Sequence, residues 1–155
     1  MLDDFLTKDE CKQMISYYFQ NPNKTDWNKK GPNNRVFMIG EDNPRNHPLV
    51  IYVWDKMNAA VRHMGLRIHW SQIYEWFPDS RMGKHIDTVH PDTVYTSVLY
   101  LNDDFEGGET FFGDGSRFAP RTGRIVFYDG VEHPHGVLRV KNKKRYVCAA
   151  WYKEL

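Results

Sequence analysis

The chain has 155 residues and a mass of 18.4 kDa, which fits one domain because domains usually contain about 100 to 200 residues. Hydrophobic residues make up 41% of the chain and charged residues 26%. This composition excludes disorder of the whole chain, since it provides enough apolar surface to offset the entropy lost on folding. The 21 Lys and Arg residues nearly balance 20 Asp and Glu residues, which excludes a broad basic surface for duplex nucleic acid or an anionic membrane.

Three features bear on the cellular compartment. The longest apolar run, residues 49–54, is far shorter than the roughly 20 residues of a membrane-spanning helix. The first residues lack the basic start of a secretion signal, and Cys11 and Cys148 are too few for a disulfide framework. We therefore expect a cytoplasmic protein without a membrane partner, in which both cysteines are buried thiols.

Two helices are predicted near the beginning of the chain. Thr7 and Glu10 have the spacing of a capping box, and apolar residues follow at one-face helical spacing until Asn21. The second helix begins at Pro48 and keeps an apolar stripe until Gly65, a residue suited to the left-handed position after a helix.

Loops are predicted where Pro, Gly, Asn and Asp concentrate. Residues 21–47 contain one short strand at 35–39 and otherwise loop-forming residues, and residues 78–84 have a similar composition. We expect these two segments to be mobile and suited to covering a substrate.

The remainder of the chain changes to a period of two, which is typical of β-strands. Gly, Pro, Asp and Asn separate the β-rich runs, which are 67–77, 83–88, 94–102, 108–112, 124–129, 133–140 and 145–152. Many short strands without intervening helices predict an antiparallel sandwich or barrel, with the two helices packed on one outer face.

His85 and Asp87 form the first element that could carry chemistry, because residues two apart on a strand project from the same face. A second histidine from a later strand would complete the two-His, one-carboxylate set that suits a non-haem Fe(II) oxygenase. His135 is the candidate, since a rolled-up sheet can bring its β run back to the earlier strand. The alternative is an ordinary hydrogen-bonded pair on the surface, which the His-x-Asp spacing alone favours.

Arg145 opens an apolar strand that contains no carboxylate before Glu154, although a buried guanidinium needs an anionic partner. It could therefore bind an anionic co-substrate. If His135 and Arg145 both point inward, the hairpin expected between their strands needs an odd loop such as 142–144, or a bulge. Val147, Ala149 and Trp151 would then share the inward face.

From about Tyr74 to Tyr152 the sequence resembles the prolyl 4-hydroxylase branch of the 2-oxoglutarate and Fe(II)-dependent oxygenases. The resemblance covers half of the chain. It rests on a series of motifs at the family's intervals: His85-x-Asp87, Thr96-Ser-Val-Leu-Tyr-Leu-Asn-Asp103, Gly107-Gly-Glu-Thr-x-Phe112, Pro120-x-x-Gly123, and His135 followed by Val140, Arg145 and Trp151.

The resemblance implies roles for individual residues. His85, Asp87 and His135 would be the iron ligands, and Arg145 would bind the far carboxylate of 2-oxoglutarate. Tyr100, Thr110 and Trp151 match positions that line the co-substrate pocket in relatives, although a role in the core is the alternative for each.

The implied fold is a mainly β, double-stranded β-helix of the jelly-roll type. It would form a single domain, 1–155, with helical support in 1–66 and the catalytic β-roll in 67–155. Fe(II) would be the cofactor, 2-oxoglutarate and O₂ the co-substrates, and ascorbate a reductant.

Two positions depart from the family pattern. Trp76 stands where relatives often have a tyrosine nine residues before the first ligand histidine, and it offers an indole N–H but no hydroxyl. Lys143 stands where many relatives have a glycine, so we expect a different turn before Arg145. Among the other histidines, His90 and His133 could mimic ligands, but only His135 keeps the family interval to Arg145.

The resemblance implies hydroxylation of an unactivated C–H bond. A prolyl residue of a peptide or protein is the first candidate substrate, because aromatic residues such as Trp70, Trp76 and Phe77 could receive a proline ring. A role in the core is the alternative for these aromatic residues. A free amino acid or a nucleic-acid base is the alternative, the base being disfavoured by the near-neutral charge. A non-oxidative metal-binding β-roll, such as a zinc hydrolase, is the rival from another class. The sequence leaves the oligomeric state open.

Overall fold

The computed structural model describes residues 1–22, 25–26, 35–40, 47–88 and 90–155. The described helices are α1 (Lys8–Gln20), α2 (Pro48–Val61) and a 3₁₀ turn (Arg62–Met64). The described strands are β1 (Thr25–Asp26), β2 (Arg35–Gly40), β3 (Leu66–Trp76), β4 (Met82–His85), β5 (Tyr95–Tyr100), β6 (Glu106–Gly107), β7 (Thr110–Phe112), β8 (Arg117–Phe118), β9 (Ile125–Tyr128), β10 (His135–Val137), β11 (Val140–Lys141) and β12 (Arg145–Glu154). None of the described helices is long and apolar enough to cross a membrane.

Both predicted helices form where their sequence signals place them. The hydroxyl of Thr7 accepts a hydrogen bond from the backbone N–H of Glu10 at 3.1 Å, and the Glu10 carboxylate accepts one from the Thr7 N–H at 2.8 Å. These two bonds confirm the capping box. The second helix begins at Pro48 but tightens into the 3₁₀ turn after Val61, and Gly65 ends it with a φ of +72°.

Two antiparallel sheets form the body of the fold. The larger sheet has the strand order β1-β2-β3-β12-β5-β9, and the smaller has the order β4-β10-β7-β8. Among the described strands, β6 and β11 pair with each other in a separate two-stranded sheet. The predicted strand at 35–39 is present as β2, which pairs with β3. Most of the remaining loop predicted at 21–47 lies outside the described residues.

Alternation along β12 divides the interior into two parts. Cys148, Ala150 and Tyr152 face the core that also contains the apolar sides of α1 and α2. Their neighbours Val147, Ala149 and Trp151 face the smaller sheet. The helices therefore cover one face of the larger sheet, as predicted, and leave its other face for a site.

The chain after His135 departs from the predicted hairpin. The run expected at 133–140 divides into β10 and β11, and β12 pairs with β3 and β5 rather than with β10. The predicted odd loop, 142–144, is present between β11 and β12, but those strands do not pair with each other. Asn142 makes the turn with a φ of +68°, one position before Lys143.

Candidate active site

A cavity of about 470 Å³ lies between the two sheets. Its walls come from β3, β5 and β12 on one side and from β4, β7 and β10 on the other. Most of the site residues predicted from the sequence line this cavity.

The structure brings three of these residues together at the cavity wall. Oδ1 of Asp87 lies 3.7 Å from Nε2 of His85 and 3.5 Å from Nε2 of His135. One ligand atom from each of the three residues lies within 4.8 Å of the others, and no other such group of three or more occurs among the described residues. These three residues are called the triad.

Strand pairing explains how the two histidines meet. β10 lies antiparallel to β4, and His135 is the register partner of His85. Cross-strand partners have Cα atoms about 4.5 to 5.5 Å apart, and the two imidazole centroids are 4.5 Å apart. Gly136 follows His135 where a side chain could not fit, since a Cβ there would lie 2.6 Å from the Met82 carbonyl oxygen.

Asp87 reaches the triad by a different route from the one predicted. The strand expected at 83–88 ends at His85, so simple β alternation does not position the carboxylate. Instead, the backbone N–H of Asp87 donates to the carbonyl of Gly130 at 2.8 Å. The hydroxyl of Thr96 donates to Oδ2 of Asp87 at 2.6 Å, which orients the carboxylate and leaves Oδ1 toward the histidines.

Backbone carbonyls fix the protonation of both imidazoles. Nδ1 of His85 lies 2.9 Å from the Gly83 carbonyl oxygen, and Nδ1 of His135 lies 2.9 Å from the His133 carbonyl oxygen. A carbonyl only accepts, so each Nδ1 carries a proton, and in the neutral imidazole Nε2 keeps its lone pair and can bind a metal. Histidines that ligate metals usually donate their other N–H in this way.

Electrostatics couple the members of the triad. Burial tends to raise the pKa of Asp87, but hydrogen bonds with His135 and Thr96 and the nearby imidazole charges lower the pKa below its ordinary value. Burial tends to lower the pKa of His135, but its hydrogen bonds with Asp87 and the His133 carbonyl raise it. Asp87 is therefore an anion placed to stabilise positive charge between the imidazoles.

This donor set fits a divalent metal such as Fe(II). Two neutral imidazole nitrogens and one carboxylate leave open coordination positions, as in non-haem Fe(II) sites. The triad is also supported by hydrogen bonds from outside it, which is the usual condition for a rigid metal site.

Arg145 lies in the same cavity, deeply buried between aromatic rings. It is 1% exposed, and its Cζ lies 5.1 Å from the Trp76 ring centroid and 5.3 Å from that of Tyr100. Its Nε has no hydrogen-bond partner among the described residues. The guanidinium interacts with the Tyr100 hydroxyl and is attracted by Glu109, but it takes part in none of the ion pairs between described residues. Burial lowers the pKa of Arg145, but arginine remains charged in proteins.

A buried cation without a described carboxylate is costly unless an anion binds to it. A carboxylate of 2-oxoglutarate would supply the missing partner. Gly108 helps to make room, because a Cβ there would lie 3.0 Å from the Cδ of Arg145 and the backbone adopts a φ of +68°.

The remaining predicted pocket residues occupy different positions. Thr110 and Trp151 line the cavity. Tyr100 does not line it; its ring contacts Arg145, and its hydroxyl lies 2.7 Å from that of Thr110. Their roles toward 2-oxoglutarate remain predictions.

Aromatic side chains also form part of the wall. Trp70 and Trp76 line the cavity, whereas Phe77 does not and instead lies beneath the ammonium of Lys144 at 4.6 Å. The expectation that Phe77 faces the site is wrong, because it follows the last residue of β3 and leaves the inward face of that strand.

The other histidines lie outside the cavity. His69 and His90 contact each other with ring centroids 4.0 Å apart, and His133 is exposed. His133 contributes its carbonyl rather than its ring, which supports the choice of His135.

Three residues at the triad or on the cavity wall were not identified as site residues from the sequence. Thr96 begins the family motif that ends at Asp103, but no local pattern indicates that its hydroxyl donates to Asp87. The importance of Gly130 is visible only in the packing of the structure, since a Cβ there would lie 2.3 Å from the Asp87 carboxylate. Gln72 has a buried Oε1 without a partner among the described residues, a feature that no sequence pattern encodes.

The comparisons with known structures agree with this architecture. The crystal structure of a Pseudomonas putida prolyl 4-hydroxylase is 18% identical, with a TM-score of 0.82 that covers 99% of this chain and 91% of that chain. A Trichoplax adhaerens prolyl hydroxylase in complex with a hypoxia inducible factor peptide is 16% identical, with a TM-score of 0.82 and coverage of 99% and 82%. These likenesses confirm the double-stranded β-helix fold.

The sequence comparisons extend the result to the family. Human prolyl 3-hydroxylase 3 is 46% identical over 65 residues, which cover 37% of this chain and 9% of that protein. The chain thus matches only about a tenth of the length of these curated relatives. The model of the 2OG-Fe(II) oxygenase superfamily matches residues 70–153, more than half of the chain and the part that contains the triad and Arg145. The chain belongs to the 2OG-Fe(II) oxygenase superfamily.

Proposed function

We propose that this protein hydroxylates a prolyl residue of a peptide or protein, with His85, Asp87 and His135 as the Fe(II) ligands and Arg145 as the anchor of 2-oxoglutarate. The observation that carries the proposal is the shared cavity, which holds a two-His, one-carboxylate set and a buried cation that forms no ion pair with a described carboxylate. A hydrolytic metal site has no need of such a cation.

Each part of the site has a defined task. The Nε2 atoms of the two histidines and Oδ1 of Asp87 would hold the metal, while the Thr96 hydroxyl keeps the carboxylate oriented. The Arg145 guanidinium would bind the far carboxylate of the co-substrate. The apolar walls exclude water, which strengthens both interactions. When bound, Fe(II), 2-oxoglutarate and O₂ supply the oxidising power that converts C–H to C–OH, with succinate and CO₂ as products.

A prolyl substrate is supported by two kinds of evidence. Several relatives and structural neighbours are described as prolyl hydroxylases, one of them in complex with a peptide. In this chain the tryptophans 70, 76 and 151 line the cavity, and tryptophan faces suit a proline ring. Ascorbate as reductant and a cytoplasmic location stay predictions.

The first experiment tests the site. Anaerobic addition of Fe(II) and then 2-oxoglutarate should produce a weak visible charge-transfer band. Asp87→Ala should not bind Fe(II) and should not produce the band with 2-oxoglutarate, while its circular dichroism spectrum stays that of the wild type. A wild-type protein that binds Fe(II) without such a band would favour a non-oxidative metal protein.

The second experiment tests the substrate. Proline-containing peptides are incubated with the protein, Fe(II), 2-oxoglutarate and O₂, and mass spectrometry follows the gain of one oxygen on proline. Stoichiometric succinate release should accompany it. Oxygen gain on free proline or on an alkylated base, with none on peptides, would assign the enzyme to the alternative substrate classes.

A further inference from the structure

One part of the cavity wall carries polar atoms that the proposed mechanism does not use. Trp70, Gln72 and Trp151 all line the cavity. Nε1 of each tryptophan and Oε1 of Gln72 are buried and have no hydrogen-bond partner among the described residues. Gln72 is 5% exposed and Trp151 is 8% exposed. These three side chains are called the polar wall.

The polar wall is held in place by β pairing. Trp70 is the register partner of Trp151 across β3 and β12, and their rings stack with centroids 3.8 Å apart and planes 7° apart. Gln72 lies two residues along β3, so it projects from the same face about 7 Å away. The two indoles are thus a rigid surface rather than mobile rim residues.

The polar wall lies beside a residue that supports the triad. On the other side of β12, Trp151 is the register partner of Thr96, whose hydroxyl donates to Asp87. Arg145 lies six residues before Trp151 on β12, so the Cα atoms of these two residues are roughly 20 Å apart along the strand. The cavity therefore has a cationic end for a carboxylate and a neutral polar end beside the triad.

The chemistry of the polar wall matches a neutral group with both a donor and an acceptor. The two indole N–H groups only donate, and Oε1 of Gln72 only accepts. A secondary amide offers a carbonyl for the first and an N–H for the second. Carboxylates and phosphates could use the indoles but would place negative charge against the Gln72 oxygen.

We propose that the polar wall binds a peptide group next to the carbon that is oxidised, with a carbonyl accepting from Trp70 or Trp151 and an N–H donating to Gln72. This proposal rests on the proposed function, because it assumes a peptide in the cavity. It assigns to this wall the recognition of peptides over free amino acids. Buried polar groups of this kind discriminate strongly, since an analogue that lacks the partner leaves them unpaired.

The test uses the indole N–H resonances of ¹⁵N-labelled protein loaded with Zn(II) and 2-oxoglutarate, a form without redox chemistry. The probes are N-acetylproline N′-methylamide and N-acetylproline methyl ester, which lacks the N–H. The variants Trp70→Phe and Trp151→Phe assign two signals. Trp54→Phe assigns a matched control, an indole in the core on the helix side of the larger sheet.

The methylamide should shift the Trp70 and Trp151 signals and leave the Trp54 signal in place. The ester should bind at least fivefold more weakly, and Gln72→Leu should abolish this preference. Unmoved signals, equal binding of the two probes or a preference that survives Gln72→Leu would each overturn the proposal.

The two proposals fail in different ways. Absence of oxygen gain on every prolyl peptide would reject the proposed function, while an amide preference in the titration would still support the polar wall. Hydroxylated peptides together with an unshifted pair of indole signals would reject the polar wall alone.

Discussion

Gly130 provides a sharp test of the triad, because it touches the carboxylate without supplying a ligand. A Cβ at this position would lie 2.3 Å from Oδ2 of Asp87 and 2.5 Å from Oγ1 of Thr96, whereas ordinary contacts begin at 3.4 Å. In Gly130→Ala the new Cβ and the carboxylate must therefore separate by about 1.1 Å, the difference between 3.4 and 2.3 Å. The 2.6 Å hydrogen bond from Thr96 to Asp87 cannot survive unchanged.

The expected cost follows from this displacement. A hydrogen bond to a charged group contributes about 1.5–3 kcal/mol. Loss of a group that orients a metal ligand typically lowers metal affinity about 10- to 100-fold. We expect Fe(II) affinity of Gly130→Ala to fall within that range. Overpacking of a buried site also costs about 1–3 kcal/mol, so the melting temperature should fall by several degrees.

The assay is anaerobic titration calorimetry with Fe(II), together with thermal melting of the metal-free protein. Gly113→Ala is the matched control, since a Cβ there would lie 3.6 Å from Pro134, an ordinary contact distance. The control should bind Fe(II) like the wild type. Wild-type affinity in Gly130→Ala, within twofold, would refute the geometry assigned to Asp87.

Three further predictions concern other parts of the molecule. Arg145→Met should raise the KM for 2-oxoglutarate at least tenfold. It should also raise the melting temperature of the metal-free protein, because it removes a buried charge that forms no ion pair with a described carboxylate. An unchanged KM in steady-state kinetics would contradict the anchor role. His135→Ala should lose Fe(II) in metal analysis while His133→Ala retains it, since His133 contacts the triad through its backbone carbonyl and not through its ring. Complete iron loss from His133→Ala would make His133 the third ligand in place of His135. Burial raises the pKa of Cys11 to about 11 and that of Cys148 to about 12. Both thiols should therefore resist iodoacetamide at pH 8 and react only on unfolding or in strong alkali. Rapid labelling of the native protein would argue against their burial.

Much of the local structure follows from the sequence, because its signals act over a few residues. The capping box at Thr7 and the stop at Gly65 depend on neighbouring backbone groups. The alternation along β12 likewise sorts Val147 to the cavity and Cys148 to the helix-side core. The spacing of His85 and Asp87 and the interval from His135 to Arg145 indicated the candidate site without coordinates.

The arrangement of distant strands could not be determined in this way. Adjacent β runs in the sequence suggested a hairpin before Arg145, yet β10 and β12 belong to different sheets. The register that places His135 opposite His85 and the packing of Gly130 against Asp87 also depend on contacts between distant segments. Residue order determined which groups are available for chemistry, and tertiary packing decided which of them meet, because strand register and burial depend on the whole core rather than on neighbouring residues.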